Sequence, residues 1–345
     1  MKQNNDWEDK KVKRKLIALL TAAVMAVSLC ACAGQGEGSG EKAAGAGKDA
    51  DDPVKVGILL NQASTQVISD MGNAMKAKAE EEGVDATLMY YEMDVQKLIT
   101  GIENFITSKV DVLIVHPMNA SDGTEELQKA YDAGIKVITF DTEPNCDYTN
   151  CFIASNEELG YKIGEQAALW AQENLVSKGV KPVIGLVNEP SSEFLSQREK
   201  GIRKALEELL PEGEIVITGS GTTALAGQEA GENFLQAHPD MNVVVSINDD
   251  TMHGVYEAFA QAGLADEEDR GLFSCDGTQK SKEYVAEGGI FKCVVDLELN
   301  KVGEDMIDCA KKEATGEESE YEQTNYFPMN PVTIDNVEEV LGSKK

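Results

Sequence analysis

The sequence has few basic residues and few histidines. Lysine and arginine number 31 against 61 aspartates and glutamates, so the formal net charge is −30 at pH 7. Nucleic acids and anionic lipid surfaces are bound mainly through clusters of Lys and Arg. We therefore expect no nucleic-acid partner. The three histidines, His116, His238 and His253, are scattered through the chain.

Motifs for metals, cofactors and phosphate groups are also missing. The seven cysteines show no zinc-like pairing, and there is no glycine-rich phosphate loop. We expect neither a metal site nor a cofactor. Cys146 and Cys151 leave two alternatives open, a loop disulfide or two free thiols. Cys275 and Cys293 lie in apolar runs and are expected to be small core residues.

The first 32 residues carry a targeting pattern. A cationic stretch precedes the apolar run 16–29, which is shorter than the roughly 20 residues of a membrane-spanning helix and fits a signal-peptide core. The run closes on Leu29-Cys30-Ala31-Cys32, which resembles the bacterial lipobox and implies cleavage before a lipidated Cys32. An ordinary secretory signal is the alternative. Residues 33–52 are rich in Gly, Ala, Ser, Glu and Lys, a composition that predicts a flexible tether.

Two stretches of the chain, 111–141 and 242–276, have the same pattern. Each is an apolar run, a polar break, a helix-length segment closing on Ala-Gly, and a second apolar run ending in Asp. This predicts a strand–helix–strand unit made twice, the building block of doubly wound α/β domains. Ligands of such domains bind beyond the carboxyl ends of the strands. We therefore expect the polar residues at those ends to face one cleft: His116, Asp141, Asn248 and Asp276.

Apolar runs alternate with helix-length segments along the rest of the chain, which predicts an α/β protein with mainly parallel sheets. The runs are 54–60, 86–91, 111–116, 135–140, 151–154, 182–187, 214–218, 243–247, 271–275 and 290–295. The rhythm breaks near Ala154, where Ser155 or Asn156 is a plausible helix N-cap. We expect further changes of lobe near Asp296 and Phe327.

The predicted organisation therefore has four parts. Residues 1–31 form a lipoprotein signal peptide and 32–52 a tether. The N-terminal lobe comprises 53–155 plus 297–327, and the C-terminal lobe comprises 156–296 plus 328–340.

Seven short motifs indicate a family. They stand in order at 54–60 (VKVGILL), 110–117 (VDVLIVHP), 134–141 (GIKVITFD), 152–165 (FIASNEELGYKIGE), 196–202 (SQREKGI), 246–249 (SIND) and 275–278 (CDGT). With them the chain resembles the ribose- and galactose-type periplasmic sugar-binding proteins over about residues 53–340. Lactose-repressor-type regulators share this core, but they carry a DNA-binding helix-turn-helix where this acidic chain carries a signal-like segment. The resemblance implies two lobes joined by three crossover strands, closing on a sugar by hinge motion.

The resemblance also implies which residues contact the ligand. Asp141, Arg198, Asn248 and Asp276 match hydroxyl-binding positions of the family, although Asp141 would also fit a helix cap and Arg198 a surface charge. Asp249 is expected to cap the helix that follows it. Asp296 falls where relatives often have Gln or Asn, and a structural role at the hinge is the alternative. His116 stands where ribose binders have Asn, and a purely structural histidine is the alternative.

The chain departs from the family at its stacking positions. Ribose-type relatives carry two aromatics in the loop after the first strand, where the matching stretch of this chain is Ser64-Thr65-Gln66, and another where this chain has Thr222. An Arg that often follows the first Asp is Thr142 here. Phe194 is a candidate replacement for a stacking face, or else a hydrophobic contact at the start of its helix. We keep Thr65, Gln66, Thr222 and Phe194 among the candidate ligand-binding residues.

The sequence thus predicts a lipid-anchored solute-binding protein on the outer face of the cell membrane. It would be a monomer that captures a neutral monosaccharide or similar polyol and delivers it to the permease subunits of an ABC transporter. The predicted pocket would hold Asp141, Asp276 and Asp296 against one cation, Arg198, and such an excess of buried carboxylate disfavours an anionic ligand. An amino sugar or another cationic ligand is an alternative to a neutral one. A sugar sensor that docks onto a membrane receptor or sensor kinase is the alternative. An enzyme is not expected, because no nucleophile motif is present.

Overall fold

The structure is a computed structural model that describes residues 52–342. The predicted signal peptide and Cys32 lie outside the described residues. So does all of the predicted tether except its last residue.

Twelve strands and ten α-helices, here numbered in chain order, make up the described chain. The strands are β1 (Lys55–Leu60), β2 (Asp85–Tyr90), β3 (Val112–Val115), β4 (Lys136–Phe140), β5 (Asn150–Ile153), β6 (Val183–Asn188), β7 (Glu214–Ser220), β8 (Val243–Ser246), β9 (Gly271–Asp276), β10 (Phe291–Asp296), β11 (Thr324–Tyr326) and β12 (Asn330–Thr333). The helices are α1 (Gln66–Glu82), α2 (Val95–Ser108), α3 (Thr124–Asp132), α4 (Asn156–Asn174), α5 (Glu193–Leu209), α6 (Ala224–Ala237), α7 (Asp249–Gln261), α8 (Gln279–Glu287), α9 (Leu299–Thr315) and α10 (Val337–Gly342).

The strands form two six-stranded sheets. The first has the order β11-β5-β4-β3-β1-β2 and the second β12-β10-β9-β8-β6-β7. All neighbours are parallel except β12, which runs antiparallel to β10. The chain crosses between the sheets after β5, after β10 and after β11. This confirms the predicted fold of two doubly wound lobes with three crossovers. We call the first sheet with α1–α3 and α9 the N-terminal lobe, and the second sheet with α4–α8 and α10 the C-terminal lobe.

Each of the ten apolar runs coincides with a strand. Inner strands covered on both faces by helices read as continuous apolar segments, whereas the edge strands β2 and β7 are only partly buried. In β3 every residue is buried, and the same holds for β8. Strand β11 has the sequence TNY and is only half-buried at the edge of the first sheet. It carries no apolar run, so the sequence did not indicate it.

Glycines allow helices α4 and α5 of the C-terminal lobe to pack closely. A Cβ added to Gly160 on α4 would lie 1.9 Å from the carbonyl oxygen of Arg198 on α5. The facing Gly201 is equally crowded, since its Cβ would lie 2.0 Å from the carbonyl oxygen of Glu157. The close approach of α4 and α5 sets Arg198 beside Asn156, the first residue of α4. The packing of these helices therefore positions a predicted site residue.

Candidate functional site

A cavity of about 90 Å³, here called the central cavity, lies between the two lobes. Eight of the ten predicted ligand-binding residues line it: Thr65, His116, Asp141, Phe194, Arg198, Thr222, Asn248 and Asp276. Four of them lie at the carboxyl ends of strands, as expected from the repeated strand–helix–strand pattern. They are His116 after β3, Asp141 after β4, Asn248 after β8 and Asp276 at the end of β9. The two halves of that repeat thus contribute equivalent strand ends to opposite walls of one cleft.

Arg198 is buried and fully engaged on the C-terminal wall. Its Nη2 donates to Asn156 Oδ1 at 2.7 Å, and Nε donates to the same oxygen at 3.1 Å. Its Nη1 donates to the carbonyl oxygen of Ile247 at 2.7 Å and lies 3.8 Å from Asp276 Oδ1. A guanidinium held from three sides presents a fixed cation to the cavity. It is not a surface charge paired with Glu193 or Glu199.

Asp276 lies beside this cation on the same wall and contacts a second buried acidic residue, Asp249. Its Oδ2 accepts a hydrogen bond from the backbone nitrogen of Asp249 at 3.2 Å. Burial raises the pKa of Asp276 well above its usual range, with the charge of Asp249 adding to this rise and Arg198 opposing it. Burial also raises the pKa of Asp249, to about 6.

Asp249 does not cap α7, so that prediction was wrong. Its carboxylate accepts from the backbone nitrogen and the hydroxyl of Thr278, each at 2.8 Å. The cap is Asn248, whose Oδ1 accepts from the backbone nitrogen of Thr251 at 3.1 Å. The Asn248 amide donates to the carbonyl oxygen of Thr222 at 3.0 Å. Asn248 lines the cavity, but both ends of its side chain already have protein partners.

Asp141 stands on the N-terminal wall with one oxygen unbonded. It is 8% exposed, and its Oδ1 has no hydrogen-bond partner. Burial raises the pKa of Asp141 to about 6, although the charge of Arg198 lowers it. Its φ of 59° lies in the left-handed region, which is uncommon for a residue other than glycine and turns the side chain off the end of β4.

His116 is the second unbonded group of the N-terminal wall. It is 2% exposed, and neither ring nitrogen has a hydrogen-bond partner. Burial lowers the pKa of His116 to about 3, so the ring is neutral at physiological pH. Its edge packs on Phe140 with ring centroids 4.7 Å apart. A neutral imidazole offers one donor and one acceptor, which suits a sugar hydroxyl.

Two predicted residues lie outside the central cavity. The side chain of Gln66 is exposed and donates to Asp70 Oδ1 at 2.8 Å within α1. Asp296 is buried and forms an ion pair with Lys282. The expectation of three carboxylates against one cation was therefore wrong, because Asp296 is neutralised by Lys282, which the sequence analysis did not single out. Asp141 and Asp276 face Arg198, which leaves one excess carboxylate.

An apolar face that the sequence analysis missed completes the central cavity. Phe140 and Phe327 line it and stack on one another with centroids 5.3 Å apart. Phe194 is half-buried on the opposite wall, so it serves both as a cavity residue and as a packing contact of α5. Sugar rings present apolar faces that pack well on aromatics. Phe140 and Phe327 come from β4 and from the third crossover, not from the positions where the relatives carry their aromatics.

Asn156 was read only as a helix cap. The cap is Ser155, and the side chain of Asn156 instead accepts from Arg198. The two residues are 42 positions apart in the chain. Only the close packing of α4 and α5 brings them together, and no local pattern shows it.

The remaining expectations concern cysteines, metals and membrane spans. Cys146 and Cys151 are free thiols, and Cys275 and Cys293 are buried core residues. Within residues 52–342, no group of His, Cys, Asp and Glu side chains is arranged to hold a metal ion. None of the helices in that range is long and apolar enough to cross a membrane.

Comparison with known proteins decides the family. Residues 56–318 match the family described as periplasmic binding protein domain. The chain belongs to this family. It is 26% identical to the galactofuranose-binding protein YtfQ of Escherichia coli (strain K12), over 79% of this chain and 86% of that protein. It is 24% identical to the ABC transporter periplasmic-binding protein YphF of the same strain, over 65% of this chain and 70% of that protein.

A solved structure agrees with this fold. A Mycobacterium smegmatis protein crystallised in complex with β-D-fucofuranose superimposes with a TM-score of 0.75, at 24% identity, covering 84% of this chain and 95% of the other. The matched relatives are binding proteins, and this periplasmic binding protein is likewise not an enzyme.

Proposed function

We propose that this periplasmic binding protein captures a neutral monosaccharide or similar polyol between its lobes. It would then deliver that ligand to the permease subunits of an ABC transporter. The observation that carries the proposal is that the central cavity has bonded charged groups on one wall and unbonded polar atoms on the other. One wall holds a fixed cation beside a carboxylate, and the other holds a carboxylate oxygen and an imidazole with no partner. Sugar hydroxyls both donate and accept, so they satisfy such mixed groups.

The proposal assigns ligand contact to Asp141, Arg198, Asp276 and His116, with Phe140 and Phe327 against the apolar face of the ring. Names of relatives support a sugar, since they specify galactofuranose and β-D-fucofuranose. The excess carboxylate supports a neutral ligand over a phosphorylated one. The lobe boundaries proposed are those expected from the sequence, with hinge segments near Ala154, Leu297 and Phe327.

Thermal unfolding of the purified full chain tests this function. The panel is pentoses, hexoses, inositols, amino sugars, nucleosides and sugar phosphates. A ligand at about 1,000 times its Kd stabilises a protein by roughly 4 kcal/mol, which moves the midpoint by several degrees. We expect a neutral sugar to give the largest shift. A sugar phosphate that shifts the midpoint more than its parent sugar would overturn the charge argument.

The proposal also places the protein on the outer face of the membrane, anchored through a lipid on Cys32. The Cys32→Ser chain should appear in the soluble fraction of cells, and the unaltered chain in the membrane fraction. Cells that lack the protein should fail to take up the labelled sugar. Normal uptake together with a lost transcriptional response to the sugar would favour the sensor alternative.

A further inference from the structure

A second cavity adjoins the central one. This outer cavity has a volume of about 300 Å³, more than three times the 90 Å³ of the central cavity. Both are lined by Met118, Asp141 and Phe194, so the two cavities adjoin at these three residues. Small-molecule sites usually enclose about 300–1,000 Å³. The central cavity alone falls below that range, whereas the two together reach it.

The outer cavity contains a polar group that has no partner. Thr142 follows Asp141 directly, is 8% exposed and lines the outer cavity, and its hydroxyl oxygen makes no hydrogen bond. A buried hydroxyl without a partner costs free energy unless a ligand or water bonds to it. The unbonded Asp141 Oδ1 lies beside it in the chain, where the two cavities meet.

The walls of the outer cavity come from both lobes. Thr142 and Glu143 belong to the N-terminal lobe, and Glu193 and Gln197 stand on α5 of the C-terminal lobe. A ligand group held here would therefore be gripped by the same closure as the sugar in the central cavity. No lysine or arginine is among the described residues that line it. The carboxylates favour a neutral or amine-bearing group over an acidic one.

We propose that the ligand is a two-unit glycoside, with one sugar unit in the central cavity and a second polar unit in the outer cavity, bonded to the Thr142 hydroxyl. This rests on the proposed function and extends its ligand from a monosaccharide to a disaccharide-sized molecule. Asp141 lies between the units and contacts the first. The charges of the outer cavity select a neutral or amino sugar as the second unit and reject a uronic acid.

Calorimetric titration of the full chain tests this subsite. The single units are galactose, glucose, xylose and glucosamine, and the pairs are lactose, cellobiose, maltose, xylobiose, the glucosamine disaccharide and digalacturonate. We expect one of the neutral or amino disaccharides to bind at least about tenfold more tightly than its own monosaccharide, because a second unit adds contacts without a second loss of translational freedom. Digalacturonate should show no binding.

Three variants locate the second unit. Thr142→Val keeps the shape and removes the hydroxyl, so it should weaken disaccharide binding by roughly threefold to tenfold, the value of one hydrogen bond, and leave monosaccharide binding unchanged. Thr139→Val is the matched control, since that hydroxyl is also buried but lines neither cavity. Gln197→Ala on the exposed face of α5 repeats the test at a position that does not depend on buried packing.

The outcomes separate this inference from the proposed function. A monosaccharide that binds as tightly as every disaccharide would overturn the two-unit ligand and leave the binding function intact. A disaccharide whose affinity is unchanged in both Thr142→Val and Gln197→Ala would remove the second unit from the outer cavity. Absence of binding by every sugar would overturn both proposals.

Discussion

The two walls of the central cavity differ in how far their polar groups are already bonded. On the C-terminal wall, Arg198, Asn248 and Asp276 all have protein partners. On the N-terminal wall, His116 and Asp141 have three buried side-chain atoms without a hydrogen-bond partner. The hydrogen bonds of the C-terminal wall are therefore complete within the protein, whereas those of the N-terminal wall are incomplete.

This difference assigns separate tasks to the walls. The bonded groups are held in place before a ligand arrives, so little conformational freedom is lost there on binding. Each unbonded buried group instead costs the empty protein about 1–3 kcal/mol, which a ligand can return by supplying the missing partner. Substitutions in the C-terminal wall should thus lower the free energy of unfolding. Substitutions in the N-terminal wall should weaken ligand binding and raise the free energy of unfolding of the ligand-free protein.

The largest effect is expected at Arg198. Arg198→Ala leaves Asn156 Oδ1 without a donor and the Ile247 carbonyl with only the Cys275 thiol. It also removes the cation facing Asp276, so it should lower the free energy of unfolding by about 3–5 kcal/mol. Denaturant unfolding at pH 7.5 measures it. Arg203→Ala is the control on the same helix, where an exposed pair with Glu199 should cost about 1 kcal/mol or less. Equal losses in both variants would show that the wall is not a preformed network.

Asp141→Asn should have the opposite effect on stability. The folded pKa of about 6 lies above the ordinary value of about 3.9, so the stability that Asp141 contributes is fully present below about pH 4 and is lost as the pH rises through 6. Asn removes this fall, so the variant should gain on the order of 2–3 kcal/mol at pH 7.5. Sugar affinity should drop by at least about 30-fold, because one charged acceptor oxygen is replaced by an amide nitrogen that can only donate.

Unfolding curves from pH 4 to pH 8 check this prediction. The control is Asp269→Asn, an exposed aspartate whose replacement should leave the curve unchanged. A less stable Asp141→Asn chain at pH 7.5 would show that the carboxylate is satisfied in the empty protein.

The two buried histidines offer a direct contrast. His116→Phe removes two unbonded nitrogens from the N-terminal wall and should stabilise the empty protein by about 1–2 kcal/mol while weakening sugar binding. His253 in α7 is bonded through Nε2 to Ser281 Oγ at 2.8 Å. His253→Phe should therefore destabilise the protein by a similar amount. Thermal unfolding of both variants without ligand shows whether each substitution raises or lowers the unfolding midpoint. A lower midpoint in both variants would contradict this prediction.

The smallest effect is expected at the contact between the lobes. Burial raises the pKa of the Asp250 carboxylate on α7, and the backbone of Gln66 at the start of α1 opposes this rise, so the two lobes approach each other here. Asp250→Ala should weaken ligand binding about twofold to fivefold through a less favourable closed form, with stability almost unchanged. Calorimetry at two ionic strengths measures it, and a loss above 100-fold would place Asp250 in the ligand site itself.

Much of the fold was predictable because its information is local. Most of the apolar runs became inner strands that are almost wholly buried, so burial shows directly in the sequence, whereas the edge strands β2 and β7 are only partly buried. The strand-end positions of His116, Asp141, Asn248 and Asp276 followed from the same pattern. Strand β11 was missed because an edge strand of three residues needs no apolar run.

The partners of the site residues were not predictable, because they depend on packing between distant segments. The pairing of Lys282 with Asp296 joins a helix to a strand end, and the contact of Asn156 with Arg198 depends on glycines that let two helices approach. Asn248 and Asp249 are adjacent and both fit a helix cap by type, so only the observed hydrogen bonds decide between them.

A crystal structure of the protein with the sugar that gives the largest thermal shift would test the central claim most directly. The account predicts sugar hydroxyls within hydrogen-bonding distance of Asp141 Oδ1 and of a ring nitrogen of His116, with the bonds of Arg198 unchanged. A sugar bound between the lobes that leaves both of those groups unbonded would contradict it.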